Sequence, residues 1–144
     1  MHILIAGGTG FIGQALTKHF IQQKHQVSIL GRSEAKIQQC FGDQVNALSW
    51  EVAGPKMLDC LSGVHLLINL TGANIGDQRW TDSRLAEITE SRIEITEYLA
   101  KLCAELGQQA PVWFNASAIG IYDHAVEEHE QADENTPIKM TDKI

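Results

Sequence analysis

The sequence predicts an α/β fold built on a doubly wound parallel sheet. The first observation is a short apolar stretch at residues 3–6, which a glycine-rich turn and a segment of helical periodicity follow directly. The second is that further apolar stretches alternate with helical segments along the chain. Alternation of this kind is typical of parallel sheets whose strands are buried on both faces. We therefore expect a sheet that ends after about five strands.

The glycine-rich turn at residues 7–13 is the strongest functional signal. The pattern G-x-G-x-x-G fits Gly8, Gly10 and Gly13, whereas G-x-x-G-x-x-G fits Gly7, Gly10 and Gly13, and both alignments stay open. In a Rossmann-type fold such glycines allow a tight turn, close approach of a pyrophosphate and close helix–strand packing. The helix N-terminus adds unpaired N–H groups. We expect a dinucleotide to contact Gly7, Gly8, Thr9, Gly10, Phe11, Ile12 and Gly13.

The remaining elements can be assigned in order from periodicity and turn residues. The predicted strands after the first are residues 27–30, 45–50, 66–70 and 112–115. The predicted helices are residues 11–24, 34–41, 57–61 and 82–106. The last of these helices is expected to have Thr81 or Asp82 as its N-cap and to end at Gly107. We expect the fourth strand to lie on the other side of the first, across the point where such sheets bind ligands.

The end of the second strand predicts which dinucleotide is preferred. An NAD-selective site has Asp or Glu there to accept hydrogen bonds from the ribose hydroxyls. This chain has Gly31, Arg32 and Ser33 instead. Arg32 can hold a 2′-phosphate in its planar fork, and the Ser33 hydroxyl can add a donor, so NADP is predicted over NAD. A surface arginine at a strand end is the alternative explanation.

The end of the fourth strand is a second predicted contact with the cofactor. The carboxyl end of the most apolar strand in the chain, and the residues that follow it, are Asn69, Leu70, Thr71 and Gly72. In open α/β sheets ligands bind at this edge. For Gly72 alone, a plain connection between strand and helix explains the residue equally well.

Composition limits the other classes of function. The net charge of −7 over 144 residues disfavours nucleic acid or an anionic membrane surface as the main partner. The three cysteines are far apart and show no metal-ligand spacing, and the sequence has no basic leader, so a cytoplasmic protein is expected. The acidic stretch at residues 123–135 is interpreted as a solvated loop, not a metal site.

Several of these segments together resemble a known family. Residues 7–13 and 68–75 resemble the extended short-chain dehydrogenase/reductase superfamily, in its epimerase/dehydratase group. Residues 76–81, 91–96 and 115–122 are similar to the atypical branch called sugar-nucleotide-epimerase-like. The resemblance covers nearly the whole chain.

The resemblance implies roles for particular residues. Ser117 would hydrogen-bond the reacting hydroxyl or carbonyl group, and Tyr122 is the remaining nearby phenol that could donate a proton. The family's Tyr-x-x-x-Lys pair is missing, because residues 138–144 contain no tyrosine and place Lys143 three residues after Met140. More typical members carry an asparagine near Arg92, so the usual proton relay is in doubt; a solvated helix-face arginine is the alternative for Arg92.

Two functions remain open at this stage. One is the NADP-binding domain of an oxidoreductase or epimerase that acts on a nucleotide sugar or a similar carbonyl or alcohol. The other is a dinucleotide-binding module without turnover, serving as a redox sensor or assembly partner. The resemblance implies a C-terminal substrate domain beyond residue 144, so we expect this chain to bind cofactor without catalysing a reaction by itself. Its last sheet edge could pair with a second copy.

Overall fold

The computed structural model describes residues 1–53, 56–117 and 132–136. Its sheet has five strands, all parallel, in the order β3-β2-β1-β4-β5. This confirms the predicted doubly wound sheet, with the fourth strand beside the first. The strands are β1 (His2–Ala6), β2 (Gln26–Gly31), β3 (Asn46–Ser49), β4 (Leu66–Asn69) and β5 (Val112–Asn115).

The α-helices of the described residues flank this sheet. They are α1 (Phe11–Gln22), α2 (Glu34–Phe41), α3 (Trp50–Ala53), α4 (Met57–Leu61) and α5 (Asp82–Leu106). The N-cap of α5 is Thr81, whose hydroxyl accepts a hydrogen bond from the Arg84 N–H at 3.2 Å. The bounds of α2, α4 and α5 agree with the sequence prediction, and both α2 and α5 have an N-cap whose hydroxyl accepts a hydrogen bond from the first turn.

The first helix and the third strand are predicted too long, for local reasons, and the predicted bounds of β1, β2 and β4 differ from the structure by one residue at one or both ends. The first helix ends at Gln22, and Lys24 takes a left-handed conformation with φ 60° while the His25 N–H donates to the Phe20 carbonyl at 3.0 Å. The third strand ends at Ser49, whose hydroxyl accepts from the Val52 N–H at 3.3 Å. Trp50 therefore begins a short helix instead of ending a strand.

The core lies on both faces of the sheet. Along β1, Leu4 and Ala6 point to one face and Ile3 and Ile5 to the other, and all four are fully buried. Residues of α4 and α5 pack on the first face, and residues of α1 and α2 pack on the second. This double burial explains why the strands are continuous apolar runs in the sequence.

One edge of the sheet is formed by β5. On this strand Val112 and Phe114 are 64% and 61% exposed. Pairing of this edge with a second copy stays a prediction. Within the described part of the chain, no helix has the length and apolar character needed to cross a lipid bilayer.

Candidate functional site

A cleft of about 690 Å³ lies at the carboxyl ends of β1, β2 and β4. Open parallel sheets bind ligands at this position, where the strand order reverses. The cleft is lined by eighteen residues: Gly7, Thr9, Gly10, Gly31, Arg32, Lys36, Trp50, Leu70, Thr71, Gly72, Ala73, Asn74, Asp77, Gln78, Arg84, Glu87, Ser91 and Ile95.

The turn after β1 forms the floor of the cleft. Its glycines differ in the reason for which a side chain is excluded or tolerated at each position. Gly7 has φ +80°, and a Cβ there would lie 2.9 Å from the Leu70 carbonyl oxygen. A Cβ on Gly13 would lie 2.6 Å from the Gly8 Cα, so this residue lets α1 pack against the turn. A Cβ on Gly10 would meet only the Gly7 carbonyl oxygen, at 3.4 Å.

These distances favour one of the two alignments of the glycine motif. Gly7 makes the tight turn and Gly13 makes the close packing, which are the first and third roles in the dinucleotide fingerprint. Packing within the protein does not explain Gly10, which lines the cleft. A backbone left open on its ligand side fits close approach of a pyrophosphate. The spacing is therefore that of Gly7, Gly10 and Gly13, whereas Gly8 lies against the Ile29 side chain.

The first turn of α1 is suited to an anion. Gly10 is its N-cap, and no side chain caps the first N–H groups of the helix. The side chains of Phe11 and Ile12 are 95% and 60% exposed, and neither lines the cleft. Any contact of these two residues with a phosphate would therefore come from their backbone N–H groups.

Two cations lie at the cleft end of β2. Arg32 and Lys36 are both exposed and both line the cleft. Ser33 is the N-cap of α2, and its hydroxyl oxygen accepts from the Lys36 N–H at 3.3 Å, which leaves the O–H free to donate. Sequence reasoning missed Lys36, although the predicted helix start at residue 34 already placed it in the turn that follows Arg32.

The nearest acid at this end of the cleft has other partners. The Glu34 carboxylate accepts hydrogen bonds from the Ser49 N–H at 3.2 Å and from the Ser49 hydroxyl at 3.3 Å. Glu34 does not line the cleft. This carboxylate therefore ties α2 to the end of β3 and is not turned toward a ribose.

At the end of β4, Asn69 organises the backbone that follows it. Asn69 is buried, and its amide nitrogen donates to the Asn115 side-chain oxygen at 2.7 Å. Its own oxygen accepts from the Thr71 N–H at 3.1 Å and from the Thr71 hydroxyl at 2.6 Å. Asn69 thus lies behind the cleft, and the predicted contacts that line it are Leu70, Thr71 and Gly72.

Arg92 holds the connection between β4 and α5. Its guanidinium donates to the Ile88 carbonyl at 2.8 Å and to the Ala73 carbonyl at 3.2 Å. A Cβ on Gly72 would lie 2.9 Å from the Arg92 Cζ. The Ser91 hydroxyl accepts from the Ala73 N–H at 3.0 Å. Arg92 is exposed on the face of α5, as the alternative expects, and its guanidinium is also hydrogen-bonded to two backbone carbonyls.

A second arginine of α5 fixes the same connection from inside the protein. Arg84 is 7% exposed, donates to the Glu87 carboxylate at 2.6 Å and donates to the Asn74 carbonyl. Its buried Nε has no hydrogen-bond partner among the described residues. The cleft-lining residues of α5 are Arg84, Glu87, Ser91 and Ile95. Their spacing puts them on one helix face, a signal present in the sequence but shared with ordinary core packing.

Ser117 lies beyond β5 and is exposed, and it does not line the cleft. The Ala116 N–H beside it donates to the Asn69 carbonyl at 2.9 Å, which ties this segment to the end of β4. The role of Ser117 stays a prediction. Tyr122, Met140, Lys143 and most of the acidic stretch lie outside the described residues. No group of three or more potential metal ligands occurs within the described ranges.

Comparison with known proteins gives a consistent family. A model of the NAD dependent epimerase/dehydratase family matches residues 3–142. The epimerase family protein SSP1921 of Staphylococcus saprophyticus is 35% identical over 121 residues, which are 84% of this chain and 39% of the relative. The epimerase family protein YfhF of Bacillus subtilis is 36% identical over 127 residues, or 88% and 41%. The chain thus spans 39% and 41% of the lengths of these relatives.

Solved structures agree with the family match. The human epimerase family protein SDR39U1, isoform 2, solved with NADPH, superposes with a TM-score of 0.75 at 28% identity, covering 96% of this chain and 43% of that one. A UDP-glucuronic acid 4-epimerase variant of Bacillus cereus, solved with UDP-4-deoxy-4-fluoro-glucuronic acid and NAD, has a TM-score of 0.73 at 15% identity, covering 96% of this chain and 46% of that one. The second likeness concerns the fold alone.

Proposed function

The chain belongs to the NAD dependent epimerase/dehydratase family, and from this premise we propose that its cleft binds NADP(H) in preference to NAD(H). The observation that carries the proposal is the pair of cations, Arg32 and Lys36, at the cleft end of β2. A guanidinium fork and a nearby ammonium suit a 2′-phosphate, which NAD lacks. The adjacent carboxylate of Glu34 is hydrogen-bonded to Ser49 and does not compete for a ribose hydroxyl.

The relatives support the nicotinamide class without deciding the preference. The human relative was solved with NADPH at 28% identity, whereas the Bacillus cereus epimerase was solved with NAD and shares only the fold. A preference for NADP therefore rests on the residues of this chain.

In this proposal, different parts of the cleft bind different parts of the dinucleotide. The N–H groups at the start of α1 would hold the pyrophosphate, and the open backbone at Gly10 would let it approach. Arg32 and Lys36 would hold the 2′-phosphate. When bound, the nicotinamide can give a hydride to a carbonyl carbon or take one from an alcohol carbon. We propose a nucleotide sugar or a similar carbonyl or alcohol as the substrate of the whole protein, with Ser117 hydrogen-bonding the reacting oxygen.

The test is calorimetric titration of the chain with NADPH and with NADH. Each charged hydrogen bond to the 2′-phosphate contributes roughly 1.5–3 kcal/mol, so Arg32→Ala should reduce the NADPH preference about tenfold or more. Lys36→Ala should reduce it less, because an ammonium lacks the planar fork. Affinity for NADH should hardly change in either variant.

The matched control is Lys101→Ala, which removes one positive charge from an exposed position on α5 outside the cleft. This variant should keep the wild-type preference, so a general charge effect can be separated from contact with the phosphate. Equal affinity for the two cofactors in the wild-type chain, unchanged by Arg32→Ala, would overturn the proposal.

A second function, dinucleotide binding without turnover, is favoured by one observation. The final residues 138–144 contain no tyrosine where the family's acid/base pair is expected. The two functions differ in NADPH oxidation by a longer form of the protein that includes the substrate domain implied by the resemblance, measured with a panel of aldehydes, quinones and nucleotide sugars. Turnover that disappears in Ser117→Ala favours the enzyme, whereas tight NADPH binding with no oxidation across the panel favours the binding module.

A further inference from the structure

A series of hydrogen bonds crosses the sheet at the amino ends of its strands, opposite the cleft. The His2 N–H donates to the His65 Nδ1 at 3.1 Å, and the His2 Nε2 lies 2.8 Å from the Ser28 hydroxyl. The Ser28 oxygen also accepts from the Asn46 side chain at 3.4 Å, and the His65 carbonyl accepts from the Val112 N–H at 3.0 Å. These bonds join β1 to β2 and β3 on one side and to the starts of β4 and β5 on the other.

His65 supplies a side-chain acceptor at the start of β1. It immediately precedes β4, and its own N–H donates to the His2 carbonyl at 2.9 Å. Because the group bonded to the His65 Nδ1 is a backbone N–H, this nitrogen must be the unprotonated one of a neutral imidazole. A second proton on the ring would place two N–H groups against each other, and the hydrogen bond would be lost.

We propose that His2 and His65 form a proton-sensitive pair that holds the amino ends of β1 and β4 together at neutral pH and releases them when the His65 imidazole takes up a proton. Imidazole is the side chain that ordinarily changes its charge between pH 8 and 5. Since the Val112 N–H is bonded to the His65 carbonyl, the release extends to the first residue of β5. This opening lies at the end of the sheet remote from the cleft and is independent of the proposed binding of NADP(H).

The groups that act on the pair offer no negative charge to compensate a proton. Among the described residues, no carboxylate forms an ion pair with either ring. Burial, and next the His65 imidazole, lower the pKa of His2, whereas a hydrogen bond to the Gly63 carbonyl raises it and the Met1 amine lowers it. That amine lies 3.4 Å from the His25 Nδ1. The neighbours of the pair are therefore other groups that carry or gain positive charge.

The experiment compares hydrogen-exchange protection factors of the isotope-labelled chain at pH 7.5 and at pH 5.5. The amides of His2 and Val112 report the amino end of the sheet, and the Ile5 amide within β1 reports opening of the whole sheet. In the wild-type chain, the protection of His2 and Val112 relative to Ile5 should fall about fivefold at the lower pH, which is the effect of losing one hydrogen bond.

His65→Asn is the variant that tests the role of the proton. The asparagine Oδ1 can accept from the same N–H, and an amide does not titrate, so the relative protection should be equal at the two pH values. His19→Gln is the matched control, because it removes an exposed histidine of α1 that takes no part in these hydrogen bonds. This control should respond to pH as the wild-type chain does.

Unchanged relative protection in the wild-type chain would overturn the proposal, and so would an equal fall in His65→Asn. If that variant does not fold, nitrogen NMR spectra of the wild-type imidazoles decide the question. A His65 Nδ1 that is unprotonated at pH 7.5 and gains its proton as protection is lost supports the proposal, whereas a protonated Nδ1 at pH 7.5 overturns it. NADPH affinity at pH 7.5 should be the same in His65→Asn and wild type, and failure of the proposed function would leave this test intact.

Discussion

The turn after β1 and the connection after β4 meet where Gly7 lies against the Leu70 carbonyl, yet different contacts hold them in shape. The turn is held by backbone against backbone, since a Cβ on Gly13 would lie 2.6 Å from the Gly8 Cα. The connection, residues 70–81, is held by side chains of α5. Ser91 and Arg92 bond the backbone of Ala73, and Arg84 bonds the backbone of Asn74.

The difference shows how two walls of one site can have different tolerance to substitution. At Gly7 and Gly13 of the turn, the space for a side chain is missing, so the requirement for glycine at these two positions is local and strict. In the connection, the backbone follows three side chains from a helix that begins later in the chain. A substitution there removes a hydrogen bond but creates no clash between backbone atoms. We therefore expect substitutions in the turn to lower the stability of the whole fold. We expect substitutions of the side chains that hold the connection to increase local opening of residues 70–81.

The largest effect is expected for Gly13→Ala. The added methyl group would have to displace backbone atoms of Gly8 and Gly7, so the free energy of unfolding should fall by about 3 kcal/mol. Urea denaturation followed by circular dichroism measures this change. Gly10→Ala is the matched control, because its Cβ meets only one oxygen, at 3.4 Å.

Gly10→Ala should cost no more than about 1 kcal/mol in stability, the scale of a changed N-cap, and should lose most of its NADPH affinity. Equal stability losses in the two variants would contradict the assignment of Gly13 to packing and Gly10 to ligand approach.

A smaller effect is expected for Arg84→Met, which keeps the apolar stem and removes the guanidinium. The Asn74 carbonyl then loses its buried donor, at a cost of about 2 kcal/mol that should appear mainly as local opening of the connection. Hydrogen exchange at the amides of residues 72–77 should accelerate, and affinity for NADPH should fall.

Arg79→Met is the control for that experiment, because Arg79 is exposed in the same connection and does not line the cleft. Its amide exchange and its NADPH affinity should match the wild-type values. Unchanged exchange in Arg84→Met would show that α5 does not hold the connection through this arginine.

The smallest effect is expected at the opposite end of the sheet, at His2. Burial, and next the neighbouring His65 imidazole, lower the pKa of His2 from 6.5. The unfolded chain therefore binds more protons than the folded chain between the two pKa values. Above pH 6.5, His2 does not lower the free energy of unfolding. As the pH falls through 6.5 toward the folded pKa, His2 lowers this free energy, because the unfolded chain takes up the proton more readily.

Thermal unfolding from pH 7.5 to 5 measures this dependence. In His2→Gln the part of the acid sensitivity that belongs to His2 should disappear, because an amide does not titrate. The ratio of NADPH to NADH affinity should be the same in both proteins, since His2 lies at the amino end of β1 and the cleft lies at the carboxyl ends. A changed ratio would show that the two ends of the sheet are coupled.

The sequence alone determined the parts of the protein that depend on local chemistry. The apolar runs identified all five strands, and periodicity with a capping threonine gave α5 its observed bounds, Asp82–Leu106. The glycine turn indicated a dinucleotide site, and the chain that contains it belongs to the NAD dependent epimerase/dehydratase family. Strands and helices are visible in a sequence because burial and capping act on residues that are close along the chain.

Only the tertiary structure decided which residues share the cleft. The alignment of the glycine motif depends on distances from Gly7 to Leu70 and from Gly13 to Gly8. Lys36, Trp50 and Arg84 line the cleft because strand order and register bring β2, β3 and α5 to one edge. In the sequence each of these three is an ordinary surface or core residue. Their meeting depends on contacts between segments far apart along the chain, which no local pattern records.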